Sequence, residues 1–218
     1  MTQIRIACIR AAAVALIALA PLAASAQAAG DAQVERLTGV LVQMLPFGKI
    51  LDDAAAADPT WPLQGKARKV DPAQLGCLRR ELSSQGYQRS KRAEVAAYAQ
   101  ANPGRVGADL KLLEGGAASV FGDFINAGVS EAQTGQKVEA ADVIKKMKAD
   151  QMLSFVEFIS EPKHAPLREL VGIGDAFDPG KSAEQNSDAG KSIGARLVTK
   201  LMLGAMTTCN VSTSTIFE

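Results

Sequence analysis

The chain has 218 residues, 47% of them hydrophobic and 22% charged, with 24 Lys and Arg against 23 Asp and Glu. That length suits one domain with a single real core. The near-neutral balance argues against a dedicated nucleic-acid binder, which would carry a strong cationic excess.

The first expected element is a secretory signal over residues 1–28. Arg5 and Arg10 precede an apolar run from Ala11 to Ala20, and Pro21 ends the run. Small residues follow, and both Ala24-Ser25-Ala26 and Ala26-Gln27-Ala28 fit the cleavage rule. The apolar core is about half of the roughly 20 residues that a spanning helix needs. No later stretch is long enough to span either, so no transmembrane segment is expected after cleavage. The Ala-rich style is bacterial, which makes the expected compartment the periplasm.

Residues 29–207 read as an all-α domain, an irregular bundle of about six helices. From Asp31, a stripe at Val34, Leu37, Leu41 and Met44 has the helical period, with a break expected at Pro46 and Gly48. Prolines make residues 58–62 a loop, with Trp61 as a half-buried anchor. A helix opens at Asp71-Pro72, where the carboxylate caps free N–H groups and proline takes the first helical position. Its stripe is Leu75, Leu78 and Leu82, and Gly86 is its expected stop. Another helix is expected from Ser90 to Ala101, ended by Asn102-Pro103-Gly104.

A long pattern from Arg105 to Thr134 contains Gly115, Gly116 and Gly122. Those glycines permit either close helix contact or a break into two shorter helices. Residues 140–159 read as one helix whose apolar arc widens towards its end, as a central core helix would. A short helix at 166–171, a loop at 172–192 and a last helix at 189–207, capped by Ser187 or Asp188, complete the domain. Residues 208–218 favour an extended or irregular tail.

Removing the signal takes Cys8 with it and leaves Cys77 and Cys209. An even pair in an oxidising compartment reads as one disulfide, which would tether the tail. Two unpaired buried thiols are the alternative. Two cysteines and one histidine leave zinc short of ligands, so no metal or other cofactor is implied.

Charge is unevenly placed. Residues 66–92 hold eight basic residues against two acids, and residues 150–188 hold eight acids against three bases. Arg79, Arg80, Arg89, Lys91 and Arg92 are the candidate binding residues, for an anionic envelope surface or an acidic envelope protein. The ordinary alternative is solvated helix faces that pair with each other. Only Tyr87 interleaves the basic run, so stacking on nucleic acid is not supported.

Signatures of catalysis are weak. Gly180-Lys181-Ser182 and Gly190-Lys191-Ser192 lack the glycine that a phosphate loop places five residues earlier, and no strand precedes them. His164 is the only histidine, in a turn bounded by Pro162 and Pro166, where an exposed ring is the default. Ser-His or Cys-His chemistry would need it beside a nucleophile, and no Gly-x-Ser-x-Gly elbow exists.

The segment Gln151-Met152-Leu153-Ser154-Phe155-Val156-Glu157-Phe158-Ile159-Ser160-Glu161-Pro162 resembles the closing motif of a family of exported helical proteins of unknown function. That family ends a helix with an aromatic residue and a Ser-Pro step; here Glu161 interrupts the Ser160–Pro162 pair, and the following Gly is absent. The resemblance implies an exported helical domain and no particular activity. The resulting expectation is a non-catalytic periplasmic or envelope protein that binds another protein or an anionic surface. Its rival is a hydrolase with an unrecognised site.

Overall fold

The computed structural model describes residues 20–63, 70–136, 140–174 and 183–214. The fold is all-α. Its segments are α1 (Ala20–Met44), α2 (Phe47–Ala57), α3 (Pro72–Glu81), α4 (Ser84–Ala101), α5 (Val106–Leu112), α6 (Ala118–Thr134), α7 (Ala140–Ile144), α8 (Ala149–Ser160), α9 (Ala165–Val171) and α10 (Ala183–Thr208). A kinked turn, Leu113–Ala117, joins α5 to α6, and a 3₁₀ turn, Pro162–His164, joins α8 to α9. Among the described residues no helix is long and apolar enough to cross a membrane. Residues 1–19 of the expected signal lie outside the described residues, as do Lys66, Arg68, Lys69 and the loop at 175–182.

The α1 stripe forms as its period requires. Val34, Leu37, Leu41 and Met44 are all buried, and they meet Val95 and Tyr98 of α4, Leu110 of α5, Phe121 of α6, Phe158 of α8 and Leu167 of α9 in the main core. Pro46 separates α1 from α2, because its ring cannot continue the α1 hydrogen-bond ladder. A second, smaller core lies under the end of α10. Leu63, Leu78 and Leu82 pack there against Ala205, Met206, Cys209 and Val211, with Trp61 half-buried at its edge.

The α3 start is as its sequence dictates. Asp71 Oδ1 accepts from the backbone N–H groups of Ala73 and Gln74 at 2.8 and 2.9 Å, and Gln74 reaches back to the Asp71 N–H. Its end differs from expectation. α3 stops at Glu81, and Ser83 caps a new helix by accepting from the Gly86 N–H at 3.2 Å. Gly86 is therefore in the first turn of α4 and is no terminator. A Cβ there would sit 2.1 Å from the Glu81 carbonyl oxygen, so the tight α3–α4 corner needs a residue without one.

The long pattern from 105 to 134 resolves into a break and a close contact together. Gly116 has φ 133°, a conformation closed to most L-residues, and it turns the chain between α5 and α6. The backbone of Gln151 on α8 lies directly against it. The expected 140–159 helix is also two. Lys148 is extended (φ −79°, ψ 154°), and its N–H donates to Gln151 Oε1 at 3.0 Å, which starts α8 afresh. Glu161, restricted by Pro162, is extended and ends α8.

The last helix begins at Ala183, ahead of the expected caps Ser187 and Asp188, so Gly190-Lys191-Ser192 lies inside α10 and forms no loop. Cys77 and Cys209 are bonded, with their Cα atoms 5.7 Å apart. Beyond Cys209 the chain turns through Asn210 at φ 53°, and the Val211 N–H donates to the Met206 carbonyl at 2.9 Å. That bond closes the helix end and buries Val211. The described start of the tail is thus a helix cap, not a strand. Residues 215–218 lie outside the described residues.

Candidate functional site

The five basic residues singled out by charge do not share a face. Arg79 sends its guanidinium to the carbonyls of Ala55 and Asp58, at 3.1 and 3.3 Å, and closes the end of α2. Arg80 is exposed on α3. Arg89 pairs with Glu81 at 2.9 Å across the α3–α4 corner, and Arg92 pairs with Glu35 of α1 at 2.6 Å. Lys91 is only 5% exposed; its ammonium donates to Glu94 at 2.6 Å and to the Leu170 carbonyl at 3.3 Å. Lys200 of α10 reaches the same Glu94 at 2.6 Å. Burial pushes the Glu94 carboxyl up, and the two lysines more than reverse it, leaving it below the usual carboxylate range. Four of the five cations therefore join elements of the fold to one another.

His164 is not an exposed turn residue. It is 6% exposed, and its ring lies between two carboxylates. Nδ1 faces Asp109 Oδ1 of α5 at 3.8 Å, and Nε2 faces Glu157 Oε1 of α8 at 3.3 Å. Asp109 is 1% exposed. Its other oxygen accepts from the Tyr98 hydroxyl at 2.5 Å, and Arg105 lies 3.8 Å from Oδ1. Arg105 also donates to the Lys163 carbonyl, and Lys163 pairs with Glu157 at 2.8 Å. Lys163 first, then His164, hold the Glu157 carboxyl below its ordinary value. This chain of charges ties the α4–α5 corner to the α8–α9 corner. It lines one side of an open cavity of about 730 Å³, with Gly104, Leu112 and Ser154 on the others.

The arrangement is poor for nucleophilic hydrolysis. A base must offer one ring nitrogen to a hydroxyl while a carboxylate orients the other. Here both nitrogens face carboxylates. Ser154, the hydroxyl on the cavity wall, instead donates to the Gly115 carbonyl at 3.3 Å. Burial shifts both tyrosines of the chain. Tyr98 is pushed up to about 12 by burial and by Asp109, and Tyr87 is pushed up by burial and by Glu94. The sign follows from linkage: folded tyrosines keep protons that unfolded ones lose above about pH 10, so stability falls as pH rises beyond that value. Absorbance at 295 nm should show no tyrosinate in the native protein at pH 10.5, and both groups ionising together with unfolding. Ordinary ionisation near pH 10 with the helical signal intact would contradict this burial.

One further surface differs from the sequence expectation. α8 was expected at the centre of the core, yet only one side of it is covered. Phe158 is fully buried against Phe121, and Phe155 packs on Phe124, whereas Leu153 is 71% and Val156 46% exposed. Leu153 and Val156, with exposed Ala149 and Ser160, recur at the three- and four-residue spacing of one helix face. The exposed face is thus apolar at its centre and small at its ends. Lys148 lies exposed just before it, and Glu161 just after. No protein-family model, no curated protein and no solved structure matches this chain.

Proposed function

We propose that this protein is exported to the periplasm and works there without catalysis, docking a helix of another polypeptide on the outward face of α8. The observation that carries the reading is Leu153, a large apolar side chain left 71% exposed at the middle of a rigid helix. Burying such a seam against a partner removes apolar surface from water at about 25 cal/mol per Å². The pattern of residues 1–28 supports export. So does the Cys77–Cys209 bridge, since such bonds persist in oxidising compartments. An anionic surface is the weaker partner, because Arg79 and Lys91 are drawn into the fold and the exposed Arg89 and Arg92 are already paired with Glu81 and Glu35.

Site-specific crosslinking in the intact envelope tests this. A photoreactive residue at position 153 should give a discrete adduct, and the same residue at exposed Lys49 on α2 should not. Val156→Glu should reduce that adduct at least tenfold. Because the side chain is on the surface, it should change folding stability by no more than about 0.5 kcal/mol. No adduct at 153, or one indifferent to Val156→Glu, overturns the docking role. Full-length chain retained in the cytosol overturns export.

A further inference from the structure

The exposed α8 face has a symmetry that points to its occupant. Ala149 and Ser160 are equidistant from the Ser154–Phe155 bond, as are Leu153 and Val156, and as are Lys148 and Glu161. A twofold axis through that midpoint would set two copies of α8 antiparallel. Leu153 of each copy would then lie against Val156 of the other, in the middle of the seam. Ala149 would meet Ser160, small against small, at each end of the seam. Lys148 at one end would face Glu161 at the other, and each contact would occur twice. This is the self-complementary pattern that an isologous pair requires.

Charge selects this arrangement over its reverse. Lys146 and Lys148 lie exposed before the N-terminus of α8 and Glu161 lies exposed just after its end; Asp150 at the first end, and Lys163 paired with Glu157 at the other, reduce this contrast without reversing it. Parallel helices would put Lys148 beside Lys148 and Glu161 beside Glu161. Antiparallel helices match opposite charges and also oppose the two helix dipoles. The apolar centre and the small ends keep the symmetry, whereas Asp150 and Glu157, which flank the seam, have Ile159 and Met152 as their counterparts and stay outside it.

Resting on the docking reading above, we infer that the helix received by α8 is α8 of a second copy of this chain, paired antiparallel about Leu153 and Val156. A seam of one twelve-residue helix is shorter than a standard interface of roughly 1,200–2,000 Å², so the pair is transient and forms at high protein concentration.

The test uses the purified exported chain with its native disulfide. In the double variant Ala149→Cys/Ser160→Cys the new thiols are eleven residues apart on one helix, about 16 Å, too far to join within one copy. Mild oxidation at about 100 µM protein, the range of weak transient pairs, should convert most of it to covalent dimer. Each single variant should crosslink at least tenfold more slowly, because it brings like positions together only in a parallel pair. Lys148→Glu should slow the double variant several-fold at low salt, and adding Glu161→Lys should restore it. Circular dichroism of each variant checks that the fold is kept.

Equal crosslinking by the single and double variants overturns the antiparallel pair. So does an absence of crosslinking in a folded double variant. The two readings separate by the photoreactive residue at 153. If it yields an adduct with another protein and none with itself, docking stands and self-pairing falls. If it yields no adduct at all, both fall.

Discussion

Gly116→Ala destabilises the protein by about 2–5 kcal/mol, while Gly115→Ala, one residue earlier, changes stability by less than about 1 kcal/mol. The contrast follows from local geometry. Gly116 has φ 133°, and a Cβ there would lie 2.5 Å from Gln151 Cα, a backbone atom of α8 that cannot move aside alone. The added methyl meets an unfavourable dihedral, worth about 1–2 kcal/mol, and an overpacked contact, worth about 1–3 kcal/mol. At Gly115 the nearest atom to a Cβ is Ser154 Oγ at 3.1 Å, the end of a side chain with other rotamers. There the better helix propensity of alanine offsets what Ser154 must give up. Urea denaturation of both variants measures the difference. Equal stabilities would mean that α8 does not press on the kinked turn as described.

That turn explains what sequence could and could not foretell. Some local signals were legible, although the Ser83 cap at Gly86 and the Gln151 contact with Lys148 were not. Asp71-Pro72 announced α3 because the cap, the proline and Gln74 all act within four residues. The α1 stripe was legible because four buried positions share one period. The glycines at 115 and 116 announced that something unusual happens, without saying whether contact or break. It is both, because the break is what lets α8 approach. Charge alone could not distinguish a binding face from internal bracing, since Lys91 and Arg80 look alike until the fold brings Leu170 beside one of them.

The histidine and the exposed helix failed for a common reason: coverage is a long-range property. His164 lies in a Pro-bounded turn, and turns are ordinarily at the surface. It is buried where α5, more than fifty residues earlier, brings Asp109 to its ring and Arg105, just before α5, binds the Lys163 carbonyl beside it. α8 has a wide apolar arc, a pattern that reads as central. The fold has enough helices to cover the side carrying Phe158 and Phe155 and leaves the side carrying Leu153 open. The spacing of apolar residues says which faces avoid water, and the topology says which of them are already covered. Only the uncovered remainder is available for a partner.

Removing the disulfide should be the other large loss. The bond closes a chain separation of 132 residues, for which loop entropy alone gives roughly 5 kcal/mol, and native disulfides are generally worth about 2–5 kcal/mol. What it holds makes the loss specific. Leu78 and Leu82 of α3 meet Ala205, Met206 and Val211 in a core much smaller than the main one. Few other bonds bind the chain end to α3, among them Gln74 Nε2 donating to the Asn210 carbonyl at 2.8 Å. Cys77→Ala/Cys209→Ala should therefore lower Tm by about 5–20 °C, at roughly 2–4 °C per kcal/mol for a domain of this size. Hydrogen exchange should show the last turns of α10 losing protection first, while Phe158 and its neighbours keep theirs. An unchanged Tm would mean that the small core holds α10 without the bond. Uniform loss of protection across the molecule would mean that the two cores unfold as one, and the disulfide would then stabilise α1 and α8 as much as the helix it anchors.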